Sequence, residues 1–107
     1  MLRRTILSIR FQQRRNDLKI LESRTLGRTG LKVSLLGYGT GGARKFGVGN
    51  WMSAADRQAF ISRALDLGVN FFDTAGGYGD SETYLGETLA GESRDSYVLE
   101  TKWDGGA

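Results

Sequence analysis

The sequence of 107 residues contains no cysteine, no histidine and no proline. Without cysteine the chain can form no disulfide framework, no thiolate nucleophile and no cysteine-ligated metal site. Without histidine it also lacks the residue on which hydrolytic triads and most zinc sites depend. We therefore expect no metal site. The absence of cysteine fits a reducing compartment, so the expected location is cytoplasmic.

Long hydrophobic runs are also missing from the sequence. A helix that crosses a membrane needs about 20 consecutive apolar residues, and no run approaches that length. A hydrophobic content of 39% with 25% charged residues is ordinary for a globular protein. At this length the chain accommodates one small domain at most. We expect neither a membrane partner nor secretion.

Positive charge is concentrated at the start of the chain. Residues 1–30 hold eight lysines and arginines against two acidic residues, whereas residues 31–107 hold seven basic and ten acidic ones. The formal charge of +3 is therefore the sum of a basic segment, residues 1–30, and an acidic remainder, residues 31–107. An acidic body is a poor nucleic-acid binder, so we expect no nucleic-acid partner.

Residues 1–23 form a basic amphipathic extension, in which Leu2, Ile6 and Ile9 recur at helical spacing among arginines. This pattern is typical of a mitochondrial transit peptide, which makes mitochondria the alternative location, and of an arm that binds nucleic acid or a membrane surface. It is equally typical of an extension without a role. We favour the last interpretation, because short arginine-rich stretches arise easily by chance, and predict a disordered segment or a fraying helix.

A regular pattern of strands and turns begins at residue 24. Residues 25–27 and 31–33 predict a short hairpin, whose turn needs a positive φ at Gly30. Residues 33–39 predict an apolar strand that runs into a glycine-rich stretch. That stretch, residues 39–50, predicts an exposed loop.

Two helices and two further strands follow in alternation. Ser53 and Asp56 approximate a capping box for a helix that ends at Gly68. Its apolar stripe comprises Phe60, Ala64 and Leu67, widened by Ile61 and Leu65, with Arg57, Arg63 and Asp66 on other faces. Residues 69–74 predict a buried strand, residues 81–90 a helix closed by Gly91, and residues 97–103 a third strand. The alternation predicts an α/β fold with a parallel sheet.

Three polar residues lie at the carboxyl edge of this predicted sheet. Asp73 ends the second strand, Tyr78 lies in the loop after it, and Lys102 lies at the end of the third strand. Active sites of parallel α/β folds assemble at this edge, because the βα loops converge there. An ammonium group favours the ionised form of a nearby phenol, and a carboxylate holds the ammonium in place. The three residues together predict a tyrosine that acts as general acid toward a carbonyl oxygen.

Short motifs in the body of the chain resemble those of the aldo-keto reductase family. They are LGRTGLKVS at 26–34, LGYGT at 36–40, NFFDTA at 70–75, YG at 78–79, SE at 81–82, LG at 85–86 and TK at 101–102. The resemblance covers about residues 24–104 in the family's order. It implies a (β/α)₈ TIM barrel whose bottom is closed by the hairpin. It also implies reduction of an aldehyde, ketone or sugar carbonyl by NADPH, with NADH possible, or the reverse oxidation of an alcohol.

The resemblance also assigns roles to individual residues. It implies that Tyr78 is the proton donor, that Lys102 tunes it, and that Asp73 is the partner of Lys102 beside the nicotinamide ribose. Gly39 and Thr40 match the segment that lies near the nicotinamide, so both are candidate cofactor-binding residues. Phe46 and Trp51, in the long loop, are candidates for covering the pocket.

The chain departs from the family pattern in what it lacks. The family's fourth catalytic residue, a histidine after the fourth strand, has no counterpart, and neither does the cofactor clamp formed by the seventh and eighth strands. A complete barrel needs about 250 residues. We expect residues 24–107 to be the amino-terminal portion of a barrel, with about three βα units. Such a fragment is expected to be inactive and prone to aggregate alone, because its outer strands are unpaired.

Two other interpretations remain open. Gly37, Gly39 and Gly42 match the spacing of a dinucleotide-binding fingerprint, but in a Rossmann fold a helix follows such glycines directly. The helical pattern here begins only near Ser53, which makes this alternative the weaker one. The other interpretation is a truncated or decayed reductase that has lost catalysis and acts, if at all, by protein interaction.

Overall fold

A computed structural model describes residues 21–103 and 105. Of the basic extension predicted for residues 1–23, residues 1–20 lie outside the described part of the chain. The described part folds into an α/β structure with two small sheets. Its elements are β1 (Ser23–Thr25), β2 (Lys32–Ser34), β3 (Tyr38–Gly39), α1 (Ala54–Asp66), β4 (Phe71–Asp73), α2 (Ser81–Leu89), a 3₁₀ helix (Arg94–Ser96) and β5 (Val98–Glu100).

The predicted hairpin is confirmed. Strands β1 and β2 pair antiparallel, and the main-chain N–H of Leu26 donates to the carbonyl of Leu31 at 2.8 Å across the turn. Gly30 has the expected positive φ, +75°. The hairpin therefore follows from local sequence, since its turn demands a residue without a β-carbon.

The single strand predicted over residues 33–39 is wrong. Its first residues belong to β2 in the hairpin sheet and its last to β3 in the other sheet. The chain bends between them, because the Ser34 hydroxyl donates to the carbonyl of Leu36 at 2.6 Å and the Ser34 N–H donates to Asn70 Oδ1 at 2.7 Å. A serine side chain that bonds nearby backbone competes with strand pairing in this way.

The second sheet is parallel, as predicted, with strand order β3-β4-β5. Its register places Gly39 beside Asp73, and Asp73 beside Glu100. Strand β5 is shorter than the predicted residues 97–103, since it begins at Val98 and ends at Glu100. The loops that follow the three strands thus begin at one edge of the sheet.

Helix α1 has the ends that the sequence predicts. Ser53 is the N-cap, and its side chain and that of Asp56 form a reciprocal capping box. At the other end Gly68 has a φ of +95°, and the N–H groups of Gly68 and Val69 donate to the carbonyls of Leu65 and Ala64. This pair of bonds is a Schellman motif, which satisfies carbonyls that the helix itself leaves unpaired.

The core lies between the two helices and the parallel sheet. Its buried members are Phe46, Ile61, Ala64, Leu65, Val69, Phe72, Leu85 and Leu89. The stripe predicted for α1 is rotated, because Phe60 remains 40% exposed while Ile61 is completely buried. The placement of Arg57 on an outer face is also wrong. Arg57 is buried, with its guanidinium 4.0 Å from the ring centroid of Tyr84 and a hydrogen bond to the carbonyl of Met52.

The glycine-rich segment after β3 is a loop, as predicted, but it is not exposed over its whole length. Thr40 and Phe46 are buried, and the buried hydroxyl of Ser81 lies within hydrogen-bond distance of the carbonyls of Thr40 and Lys45. Lys45, Phe46 and Asn50 have positive φ values of 42°, 59° and 67°. Contacts with α2 therefore hold the segment in a conformation that residues other than glycine rarely adopt.

Replacing Gly47 with alanine is expected to destabilise the fold more than replacing Gly42. Both have left-handed backbone, with φ of +88° and +83°, so both changes carry a cost of about 1–2 kcal/mol. A β-carbon on Gly47 would lie 2.7 Å from that of Met52, whereas one on Gly42 meets nothing within 4 Å. Overpacking adds about 1–3 kcal/mol to the cost at Gly47. Urea unfolding of the protein that carries this chain measures the loss of stability in each variant. Equal losses would contradict the close packing at Gly47.

Some apolar surface stays uncovered in the described part of the chain. Strands β3 and β5 are each paired on one side only. A groove of about 360 Å³ lies beside β3 and α1, and its lining includes Leu36, Phe60 and Leu67. Within the described residues no helix has the length and hydropathy needed to cross a membrane.

Candidate active site

Asp73 and Lys102 meet at the carboxyl edge of the parallel sheet, as predicted. The Lys102 ammonium donates to Asp73 Oδ1, and it donates a second bond of 3.0 Å to the main-chain carbonyl of Thr74. Both side chains keep contact with solvent, at 43% exposure for Lys102 and 32% for Asp73. The pair is therefore geometrically defined and still accessible to a ligand.

The partners of Lys102 raise the pKa of its ammonium group. The hydrogen bond to Asp73 is the largest cause; desolvation comes second and lowers the pKa, and the charges of Asp73 and Glu100 raise it further. An opposite charge within a few ångströms favours the charged form. Lys102 thus stays protonated to a higher pH than an ordinary lysine.

Tyr78 lies beside this ion pair. The Lys102 ammonium is 5.3 Å from the centroid of the Tyr78 ring. The main chain fixes Tyr78 in a tight turn, because its N–H donates to the carbonyl of Ala75 and its carbonyl accepts from the N–H of Ser81. The structure thus brings together all three side chains that the sequence nominates for catalysis.

Gly39 leaves room beside the Asp73 carboxylate. A β-carbon at position 39 would lie 3.8 Å from Asp73 Oδ2, and Lys102 bonds the other oxygen, Oδ1. One carboxylate oxygen therefore faces a position that carries no side chain. This arrangement suits a ligand hydroxyl group, which would donate to Oδ2.

Thr40 is placed differently from Gly39. It is completely buried, its N–H and its hydroxyl both donate to the carbonyl of Asp73, and its own carbonyl accepts from Ser81. Its polar groups thus hold the ends of β3 and β4 together. The side chain of Thr40 acts on the backbone of Asp73 and does not face the open side of the site.

The two residues predicted to cover the pocket lie in different environments. Phe46 is in the core, where its ring packs against Tyr38 at a centroid distance of 6.0 Å. Trp51 is 58% exposed, and the guanidinium of Arg44 lies 3.7 Å from the centroid of its ring. Phe46 therefore does not cover the candidate active site.

No helix follows Gly42 directly. The chain from Gly42 to Met52 runs as a loop, and α1 begins at Ala54. A Rossmann-type phosphate site needs a helix N-terminus at these glycines, so the geometry disfavours the dinucleotide-fingerprint interpretation. Among the described residues there is also no cluster of three acidic side chains able to hold a metal ion.

Comparison with known proteins decides which family these features belong to. The sequence model of the Aldo/keto reductase family matches residues 36–107. The chain belongs to this family. The matched range contains the parallel sheet, both helices and all three candidate catalytic residues.

Individual relatives agree with the family assignment. The chain is 42% identical over 87 residues to pyridoxal 4-dehydrogenase of Microbacterium luteolum, which covers 79% of this chain and 25% of that protein. It is 37% identical over 89 residues to 6-dehydroglucose reductase of Novosphingobium aromaticivorans, covering 74% and 28%. A solved structure assigned to the aldo-keto reductases, from Pseudomonas aeruginosa, superimposes with a TM-score of 0.64 at 39% identity, over 78% of this chain and 34% of that one.

The chain spans about a quarter of the length of these two sequence relatives. Their names include both a dehydrogenase and a reductase, which are the two directions of one type of redox reaction. What the comparisons establish for this chain is membership of an oxidoreductase family and an α/β fold similar to that of its members.

Sequence reasoning missed two residues that shape the site. A β-carbon on Gly41 would lie 3.1 Å from Cζ of Tyr78, so the Tyr78 ring packs directly on the backbone at this glycine. Ser81 anchors the loop on the other side of Tyr78. The cluster of glycines could have indicated Gly41, because glycine allows another group to approach the backbone closely. Nothing local distinguishes Ser81 from an ordinary first-turn serine.

Replacing Asp73 with asparagine is expected to lower the pKa of Lys102. The parent ammonium keeps its proton above the usual lysine range because of Asp73; without that charge, the proton dissociates at a lower pH. Nuclear magnetic resonance of the complete polypeptide, with lysine labelled by carbon-13 at Cε, follows this titration. Asp80→Asn is the matched control, since Asp80 forms no side-chain cap bond at α2. An unchanged Lys102 midpoint in Asp73→Asn would contradict the pairing.

Proposed function

We propose that the protein carrying this chain transfers a hydride between a nicotinamide cofactor and a carbonyl compound or the corresponding alcohol. NADPH is the proposed cofactor and NADH the alternative. Tyr78 is the proposed catalytic acid, Lys102 the residue that tunes it, and Asp73 the residue that holds Lys102. The observation that carries the proposal is the ion pair of Lys102 with Asp73 directly beside the Tyr78 ring.

The residues present fit a nicotinamide ribose. Asp73 Oδ2 faces the side-chain-free position at Gly39, and a carboxylate oxygen accepts hydrogen bonds from sugar hydroxyl groups. Asp73 would therefore hold the ribose while its other oxygen holds Lys102. A bound nicotinamide supplies the hydride in the reductive direction and accepts it in the oxidative one.

The side chains of this chain handle the proton. In reduction, the Tyr78 hydroxyl donates its proton to the carbonyl oxygen, which leaves a phenolate on the tyrosine. The Lys102 ammonium, 5.3 Å from the centroid of the ring, stabilises this negative charge. Asp73 keeps Lys102 charged and oriented, as does the carbonyl of Thr74. In oxidation the same tyrosine takes the proton from the alcohol.

The proposal includes a (β/α)₈ barrel that continues beyond these strands. Strands β3 and β5 each pair on one side only among the described residues, and a barrel removes such edges by closing on itself. The apolar groove beside β3 and α1 is a surface that a neighbouring strand and helix would cover. These features support an amino-terminal portion of a barrel, and the proposal includes that this portion is inactive alone.

Two measurements test the proposal. An antibody against residues 70–80 captures the protein from its source cell, and mass spectrometry then gives its intact mass. We expect a mass well above that of 107 residues, together with oxidation of NADPH by the captured protein when an aldehyde is added. A stable species of 107 residues without turnover would instead favour the non-catalytic fragment.

A further inference from the structure

Lys45 places a second cation near Tyr78. Its side chain runs over Gly79, the residue that follows Tyr78: a β-carbon on Gly79 would lie 3.5 Å from Lys45 Cδ and 3.9 Å from Nζ. Gly79 has a φ of +58°, and the lysine stem lies against its backbone. The Lys45 ammonium therefore lies beside the backbone of the residue that follows the proposed proton donor.

The backbone of Lys45 is held in place. The Ser81 hydroxyl, completely buried, lies 2.7 Å from the carbonyl of Lys45. Lys45 itself has a positive φ of 42°, a conformation that persists in a residue other than glycine only when the surroundings impose it. The surroundings of Lys45 therefore hold its backbone in one conformation.

The charge of Lys45 is not neutralised within the described residues. The ion pairs found there join Arg24 to Glu22 and Lys102 to Asp73. Asp80, the residue that follows Gly79, makes no such pair with Lys45. The neighbouring Arg44 stacks on Trp51. Within the part of the chain that the structure describes, Lys45 thus forms no ion pair, and an unpaired ammonium attracts anions.

We propose that Lys45 binds an anionic oxygen group, a carboxylate or phosphate, carried by the carbonyl substrate. This inference rests on the proposed function, because it requires the reacting carbonyl to lie at Tyr78. A lysine that lies against the residue after the proton donor then selects acidic aldehydes or ketones over neutral ones. Charge-assisted hydrogen bonds of this kind are among the stronger polar contacts.

The test compares two substrates that differ only in charge, para-formylbenzoate and its methyl ester. The complete polypeptide, its Lys45→Met variant and an Arg44→Met control are assayed at saturating NADPH. Methionine keeps the length of the stem and removes the charge. We expect Lys45→Met to raise the KM for para-formylbenzoate roughly tenfold or more and to leave the ester unchanged. Arg44→Met is expected to resemble the parent, and added salt to weaken the parent's preference.

Each other outcome has a definite meaning. Equal losses for both substrates, a raised KM for NADPH, or the same effect in Arg44→Met would overturn the role of Lys45. Reduction of acid and ester with equal efficiency by the parent would overturn this inference and leave the proposed function standing. Reduction of neither would overturn both. Calorimetric binding of the product para-(hydroxymethyl)benzoate, weaker in Lys45→Met than in the parent, supplies a readout independent of turnover.

Discussion

Replacing Tyr78 with phenylalanine will lower kcat for carbonyl reduction by a factor of about 10² to 10⁴, the usual contribution of a positioned general acid. The change removes one oxygen atom and leaves the ring, which packs on Gly41 and lies beside the Lys102 ammonium. The site therefore keeps its shape but has no proton to donate. The measurement is the rate of NADPH oxidation by the complete encoded polypeptide with saturating aldehyde.

The matched control for this change is Tyr84→Phe. Tyr84 lies on α2, close to the site along the chain, and its ring packs under the guanidinium of Arg57. Its ring is half-buried, as that of Tyr78 is, so both variants lose a hydroxyl from a partly covered tyrosine. Tyr84→Phe is expected to keep parental activity. A Tyr78→Phe variant as active as this control would show that Tyr78 is not the acid.

Replacing Lys102 with methionine will lower kcat by a factor of about 10² to 10³, similar to the removal of one group that stabilises charge in a transition state. Without the ammonium, the phenolate left on Tyr78 has no opposite charge nearby, and the unpaired Asp73 carboxylate repels it. We expect a fall in kcat with little change in the KM for the carbonyl compound, because the interaction strengthens as the proton leaves. Steady-state kinetics over a range of aldehyde concentrations separate the two.

Lys32→Met is the control for Lys102→Met. Lys32 lies in β2, and its carbonyl accepts from Asn70 at the opposite end of β4 from Asp73. Removing its charge changes the net charge of the protein equally and leaves the site intact. If the two lysine variants lost activity to the same extent, the effect would be one of overall charge, and the proposed role of Lys102 would be wrong.

The parts of the fold that could be predicted are those set by neighbours in sequence. The capping box of Ser53 with Asp56 and the helix end at Gly68 involve residues a few positions apart. The break between β2 and β3 depends on Ser34 and Asn70, which are 36 residues apart. No local sequence pattern therefore predicts this break. The face of α1 that is buried likewise depends on α2, which is why Ile61 and not Phe60 is in the core.

The same distinction applies to the site. Asp73 and Lys102 could be placed together because parallel strands end at one edge of a sheet, and their ion pair confirms that placement. The path of the loop after β3 could not be predicted, since no periodicity governs it. Ser81 and the buried Thr40 determine that path, and through it they determine where Lys45 lies.

The transferred hydride can be followed directly with an isotope label. The complete encoded polypeptide is incubated with an aldehyde and NADPH that carries deuterium at the reactive carbon of the nicotinamide ring. We expect deuterium at the carbinol carbon of the product alcohol, detected by mass spectrometry, and its near loss in Tyr78→Phe. An alcohol without deuterium, or unchanged transfer in Tyr78→Phe, would contradict the proposed function.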